Sequence, residues 1–225
     1  SILLKFMTHT LLAASLIGGS AAAGSTPPKF DVKDFFRNPE KGFFRLSDDG
    51  KTLGFMQPVS VDGHPARMNI FVQPLQGSTP TGTPRRLTRQ SDHFELYPSW
   101  SRDGRSIVYT TWNDDKLGSI RVIPVAGGEG RTITTNPGHY LEPRFSPDGQ
   151  TIVYRTSSDG YLRSALWSRE PGVYRIPARG GEPVKITDSG ANPQFGARND
   201  RIFVSARDGD KRVLVVDGEP VPYCL

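Results

Sequence analysis

The stretch from Glu142 to Tyr154 limits what this chain can fold into more than any other, because a turn inside it can be assigned residue by residue. Pro147 presets the φ that the first central position of a type I turn needs, Asp148 suits the second, and Gly149 can take the left-handed conformation that closes the turn with a bulge. Thr151, Ile152, Val153 and Tyr154 then suit a pleated strand. The unit recurs almost position for position from Tyr97 to Tyr109. It recurs again from Phe43 to Phe55, with Asp48 in place of the proline. The turn glycines Gly50, Gly104 and Gly149 lie 54 and 45 residues apart (104 − 50 and 149 − 104), a period that suits propeller blades and exceeds most solenoid repeats.

Each turn hairpin is followed by an alternating third strand that reaches a proline: Asn69 to Leu75, Ser119 to Val125 and Gly172 to Ala178. Short closing strands follow at Arg86 to Thr88, Thr132 to Thr134 and Lys185 to Thr187, so the sequence predicts four strands per unit. A weaker fourth unit opens at Asn192. There Gly196 to Asp200 replaces the usual turn, with Asn199 able to adopt positive φ, and Ile202 to Ser205 and Val213 to Val216 supply strands. From Asp217 onward the pattern is expected to fail, leaving an all-β, incomplete β-propeller of about four four-stranded blades. Its units fall near 43–88, 97–134, 142–187 and 192–216, within a propeller region 43–225.

The first residues differ. Lys5 and His9 precede an uncharged run from Thr10 that ends in Ala21-Ala22-Ala23, the pattern of a signal peptide over 1–23. The run is short for a membrane span, and a buried amino-terminal helix would lack its usual caps. Export to a periplasmic or extracellular space, with no membrane association after cleavage, is the expectation. Residues 24–42 form a linker and an opening segment, either a strand or a short helical turn. Cys224 is the single cysteine, so no disulfide forms within the chain. The net charge of +5 is spread over 28 basic and 23 acidic side chains with no basic stripe, which argues against a nucleic-acid surface.

The repeats at Pro98 to Tyr109 and Pro143 to Tyr154 resemble the TolB-like propeller repeat. Phe35 to Lys41 with Met68 to Val72 is similar to the start of exported prolyl oligopeptidase family peptidases. Leu117 to Val122, Gly138 to Pro143 and Pro193 to Gly196 are similar to propellers joined to large amidohydrolases. In both hydrolase families catalysis lies outside the propeller. The resemblance therefore implies a non-catalytic accessory, gating or docking segment whose partner is the catalytic domain of a parent hydrolase. The alternative is a free-standing TolB-like propeller that engages cell-envelope proteins.

The residues themselves offer little chemistry. No Gly-x-Ser-x-Gly elbow occurs in the propeller region, and His9, His64, His93 and His139 are too scattered for a metal set, so neither a metal nor a cofactor is expected. Gly127, Gly128 and Gly130 read as turn residues rather than a phosphate cradle, because no helix-forming stretch follows them. Asp48, Asp103 and Asp148 read as turn acids. The insertion from Ser157 to Pro171 carries Tyr161, Arg163, Trp167 and Arg169. These four are the candidate partner contacts, with the cover of a blade edge as the other use for Tyr161 and Trp167.

Overall fold

The computed structural model describes residues 40–61, 63–156 and 170–221. The signal-like segment and the four insertion residues Tyr161, Arg163, Trp167 and Arg169 lie outside the described residues. Every element within them is a strand, and the strands form four antiparallel sheets in chain order. The first sheet holds β1 (Gly42–Leu46), β2 (Thr52–Val61), β3 (His64–Gln76), β4 (Thr79–Pro80) and β5 (Arg85–Arg86). The short strands β4 and β5 share its fourth position, pairing with β3 through Leu75 and Phe71 respectively. The second holds β6 (Phe94–Trp100), β7 (Ser106–Trp112), β8 (Ser119–Pro124) and β9 (Arg131–Thr132). The third holds β10 (Tyr140–Phe145), β11 (Thr151–Thr156), β12 (Gly172–Pro177) and β13 (Val184–Thr187). The fourth holds β14 (Ala191–Phe195), β15 (Ile202–Asp208), β16 (Lys211–Val216) and β17 (Glu219–Val221).

The core lies between sheets because alternate residues of each second strand face opposite neighbours. Ile107 and Tyr109 pack with Ile70 and Val72 of sheet one and with Leu87 just after its last strand. Val108, between them in sequence, joins Ile120 and Ile133 against Ile152, Tyr154 and Ile176 of sheet three. Val153 and Val173 then meet Ile202, Val204 and Val215 of sheet four. Sheets stacked face to face in this order are the blades of a propeller.

In the first three blades the turn is closed by a serine and an acid two residues later. In the third blade Gly149 has φ +72° and its amide donates to the Ser146 carbonyl at 2.9 Å. Ser146 Oγ donates to Asp148 Oδ1 at 2.6 Å, and the Gln150 amide donates to the same carboxylate at 3.0 Å. The second blade repeats these bonds at Ser101 and Asp103. In the first blade the acid is Asp49, bonded to Ser47 at 2.7 Å, and not Asp48. Asp48 holds the proline position and faces Arg102 Nε at 3.8 Å instead.

Replacing Gly149 with valine should cost about 1–2 kcal/mol, from left-handed backbone alone, since no atom approaches an added Cβ within 4 Å. Valine at Gln150, one residue on, should cost far less in the same urea titration. Equal losses would mean that the turn is not built this way.

The Ser47, Ser101 and Ser146 hydrogen bonds, and then the backbone amides, hold Asp49, Asp103 and Asp148 below the ordinary carboxyl value of 3.8. A carboxyl depressed on folding contributes stability that is complete above its unfolded value and is lost as pH falls through its folded value. The melting temperature should therefore drop below about pH 4. Asparagine at all three positions should flatten that limb, and an unchanged slope would count against these bonds.

The fourth blade departs from the sequence expectation twice. Asn199 does not take positive φ. It supplies the side-chain acceptor instead, its Oδ1 receiving the Arg201 amide at 3.2 Å as Asp148 receives that of Gln150. Nor does the pattern fail after Val216. Asp217 (φ +52°) and Gly218 (φ +92°) form a two-residue turn, and β17 pairs with β16 from Val216 opposite Glu219 to Leu214 opposite Val221. Positive φ at both central residues is the type I′ hairpin geometry that Asp-Gly favours, so the sheet gains its fourth strand.

Candidate binding channel

The first strand of each blade carries a bulge at the same place. Phe43 and Phe44 fall between the pairs Gly42 with Met56 and Arg45 with Gly54. Tyr97 and Pro98, Glu142 and Pro143, and Asn192 and Pro193 occupy the same gap in β6, β10 and β14. Three of the four bulges hold a proline, which has no amide to give to the ladder and is tolerated in a strand where pairing is interrupted. The first residue of the bulge takes left-handed backbone in every blade: φ is +53° at Phe43, +55° at Tyr97, +54° at Glu142 and +51° at Asn192. Non-glycine residues held this way cost about 1–3 kcal/mol each and persist only where the surroundings fix them.

All four line one cavity of about 100 Å³, together with Arg45, Pro98, Ser99, Pro143 and Arg144. The first strands of the four blades therefore surround a common channel. A second cavity of about 270 Å³ continues toward the turns and shares Ser99 and Arg144 with the first. The rings of Phe43 and Tyr97 meet edge to face at 5.2 Å. Trp100 Nε1 donates to the Arg45 carbonyl at 3.0 Å, and Arg102 Nη1 donates to the Ala197 carbonyl at 2.6 Å, tying blade two to blades one and four.

Glu142 joins blades three and four, since its Oε2 accepts both Arg155 Nε at 2.9 Å and the Asn192 amide at 2.8 Å. Burial pushes the Tyr97 phenol above its ordinary value, with Arg155 opposing and Glu142 adding to the rise. Burial and then the neighbouring Arg45 pull the Arg144 guanidinium below the ordinary arginine range, which Glu142 partly offsets. Nε of Arg144 is buried without a hydrogen-bond partner.

The fold is that of a TolB-like β-propeller. The chain superposes on a TolB from Agrobacterium tumefaciens with a TM-score of 0.58 at 23% identity, over 81% of this chain and 62% of that one. TolB from Acinetobacter baumannii gives 0.58 at 20% identity, over 78% and 40%. A puromycin hydrolase gives 0.57 at 19% identity, over 80% and 30%. The TolB-like chain thus spans less than two thirds of each of these structures, and identities this low establish fold alone. No protein-family model matches it. Nineteen residues are 95% identical to glutathione synthetase of Escherichia coli (strain K12), covering 8% of this chain and 6% of that enzyme. Twenty-five residues are 64% identical to the Pseudomonas aeruginosa glutathione synthetase, covering 11% and 8%. Segments of that length are about a hairpin or two and carry no fold to the rest of the TolB-like chain.

The other residues singled out in the sequence do not join the channel. His93 lies on blade two between Asp92, whose Oδ1 is 2.7 Å from Nδ1, and Glu95, whose Oε1 is 3.7 Å from Nε2. His139 packs its ring against Trp112 at 5.1 Å. Gly127 and Gly128, both at φ +112°, sit between β8 and β9. Among the described residues no three His, Cys, Asp or Glu side chains converge as a metal set. The sequence reading missed the fully buried Glu95, whose two carboxylate oxygens have no hydrogen-bond partner, and it missed the channel residues altogether. The recurring dipeptides Tyr97-Pro98, Glu142-Pro143 and Asn192-Pro193 were the signal available for the channel, because proline within an otherwise paired strand points to a bulge.

Proposed function

We propose that this TolB-like propeller is exported and non-catalytic, and serves as the docking or gating module of a larger hydrolase. The observation that carries the reading is the channel. Four strained bulges, one per blade, aim Phe43, Tyr97, Glu142 and Asn192 at one cavity, and strain of this kind concentrates where a protein holds a ligand or partner. The likeness to a puromycin hydrolase, of which the propeller spans 30%, supports attachment to an enzyme. The run from Lys5 to Ala23 supports export. The likeness to TolB, of which it spans 62%, favours the second reading, a free-standing propeller that binds envelope proteins.

The coding DNA flanking this sequence decides between them. A continuous frame with a Gly-x-Ser-x-Gly elbow, or with His-x-His and further spaced ligands, is the expected result. A frame that encodes the propeller alone would overturn the hydrolase reading in favour of the binder.

A further inference from the structure

The channel holds more positive charge than its own carboxylate can balance. Arg45 and Arg144 line the same cavity, close enough for the Arg45 charge to bear on the Arg144 guanidinium. Glu142 is the carboxylate of that lining, but its Oε2 is already committed to Arg155 and to the Asn192 amide. Arg144 is left with a buried Nε that donates to nothing. Arg45 donates from Nη1 to the Phe44 carbonyl, which uses one of its five N–H groups. A desolvated guanidinium without a fixed partner is costly, and its planar fork matches a carboxylate through two parallel hydrogen bonds.

Beside these charged groups the lining holds Phe43, Tyr97, Pro98 and Pro143 with the polar Ser99 and Asn192, a mixture that suits a peptide behind the charged group better than a bare inorganic anion. At about 100 Å³ the cavity admits the end of a chain and not a length of it, so the carboxylate that reaches Arg144 is best supplied by a chain terminus. We propose that the channel binds the carboxyl terminus of a peptide segment, its carboxylate held between Arg45 and Arg144 and its last side chains against Phe43 and Tyr97. This rests on the docking reading above and names what the channel docks.

The test follows the Arg144 Nε–H resonance by NMR while the purified chain is titrated with N-acetyl-tetraalanine as the free acid or as the carboxyl-terminal amide. The free acid should shift the resonance, and the amide should bind at least tenfold more weakly. Arg144→Met and Arg45→Gln, followed by calorimetry, should each lose the preference for the acid. Arg144→Met should melt no lower than the parent, because it removes a buried charge that lacks a partner. Equal binding of acid and amide would overturn the proposal, as would unchanged binding by both variants. Tighter binding of inorganic phosphate, or of an amidated peptide with an internal aspartate, would overturn the assignment to a chain terminus. The docking reading fails separately, on the flanking DNA: acid-specific binding would stand whichever frame is found there.

Discussion

Ile152→Ala should lower stability by about 2–5 kcal/mol, read as a shift of the urea midpoint at unchanged slope. Ile152 is 0% exposed and sits among Val108, Ile120 and Ile133 of blade two and Tyr154 and Ile176 of its own blade. Removing its outer carbons leaves a void that two packed sheets cannot close without breaking their own ladders. Val184→Ala, on a closing strand and 50% exposed, is the control and should move the midpoint by less than about 0.5 kcal/mol. Comparable losses at the two sites would mean that the blades do not stack through these faces. The contrast tests packing between blades and not strand formation, since both residues lie in strands of the same sheet.

Glu142→Ala should cost about 2 kcal/mol, within the range for hydrogen bonds to charged groups. The carboxylate and its partner Arg155 are 18% and 24% exposed, so solvent screens the pair only in part. Its removal strands the Arg155 guanidinium and the Asn192 amide together. The second loss gives the variant a local signature, because the Asn192 amide should exchange with solvent much faster than in the parent while amides of β11 and β12 keep their protection. Glu142→Gln retains an acceptor oxygen without the charge and should fall between the two. Unchanged exchange at Asn192 in the alanine variant would show that blades three and four are not joined through this side chain.

The blades were legible in the sequence because their turns are made from residues with few other uses. Gly149 at φ +72° after Pro147 and Asp148 has little alternative to a tight turn, and the strand Thr151–Thr156 follows from its β-branched run. The first blade was misread by one residue, since Asp48 and Asp49 are chemically alike and only the bond from Ser47 distinguishes them. The last hairpin is obscured in the sequence because Pro220 and Pro222 lack the amides a strand ladder needs, which masks the strong hairpin signal of Asp217-Gly218. The channel was hidden for a different reason. A residue before proline is ordinarily pushed to extended backbone, so Tyr97, Glu142 and Asn192 gave no local sign of left-handed geometry. Tertiary packing imposes it, and only the repetition of the dipeptide betrays it.

That four first strands share one channel is best tested by two cross-blade nuclear Overhauser contacts. Contacts between the rings of Phe43 and Tyr97, and between the Glu142 side chain and the Asn192 amide, are expected from a 5.2 Å ring separation and a 2.8 Å hydrogen bond. Observing both, in a sample whose turn hairpins show their own short-range contacts, would place blades one and two and blades three and four around the same opening. Folded hairpins with neither cross-blade contact would contradict the channel, and with it the binding role assigned to this propeller.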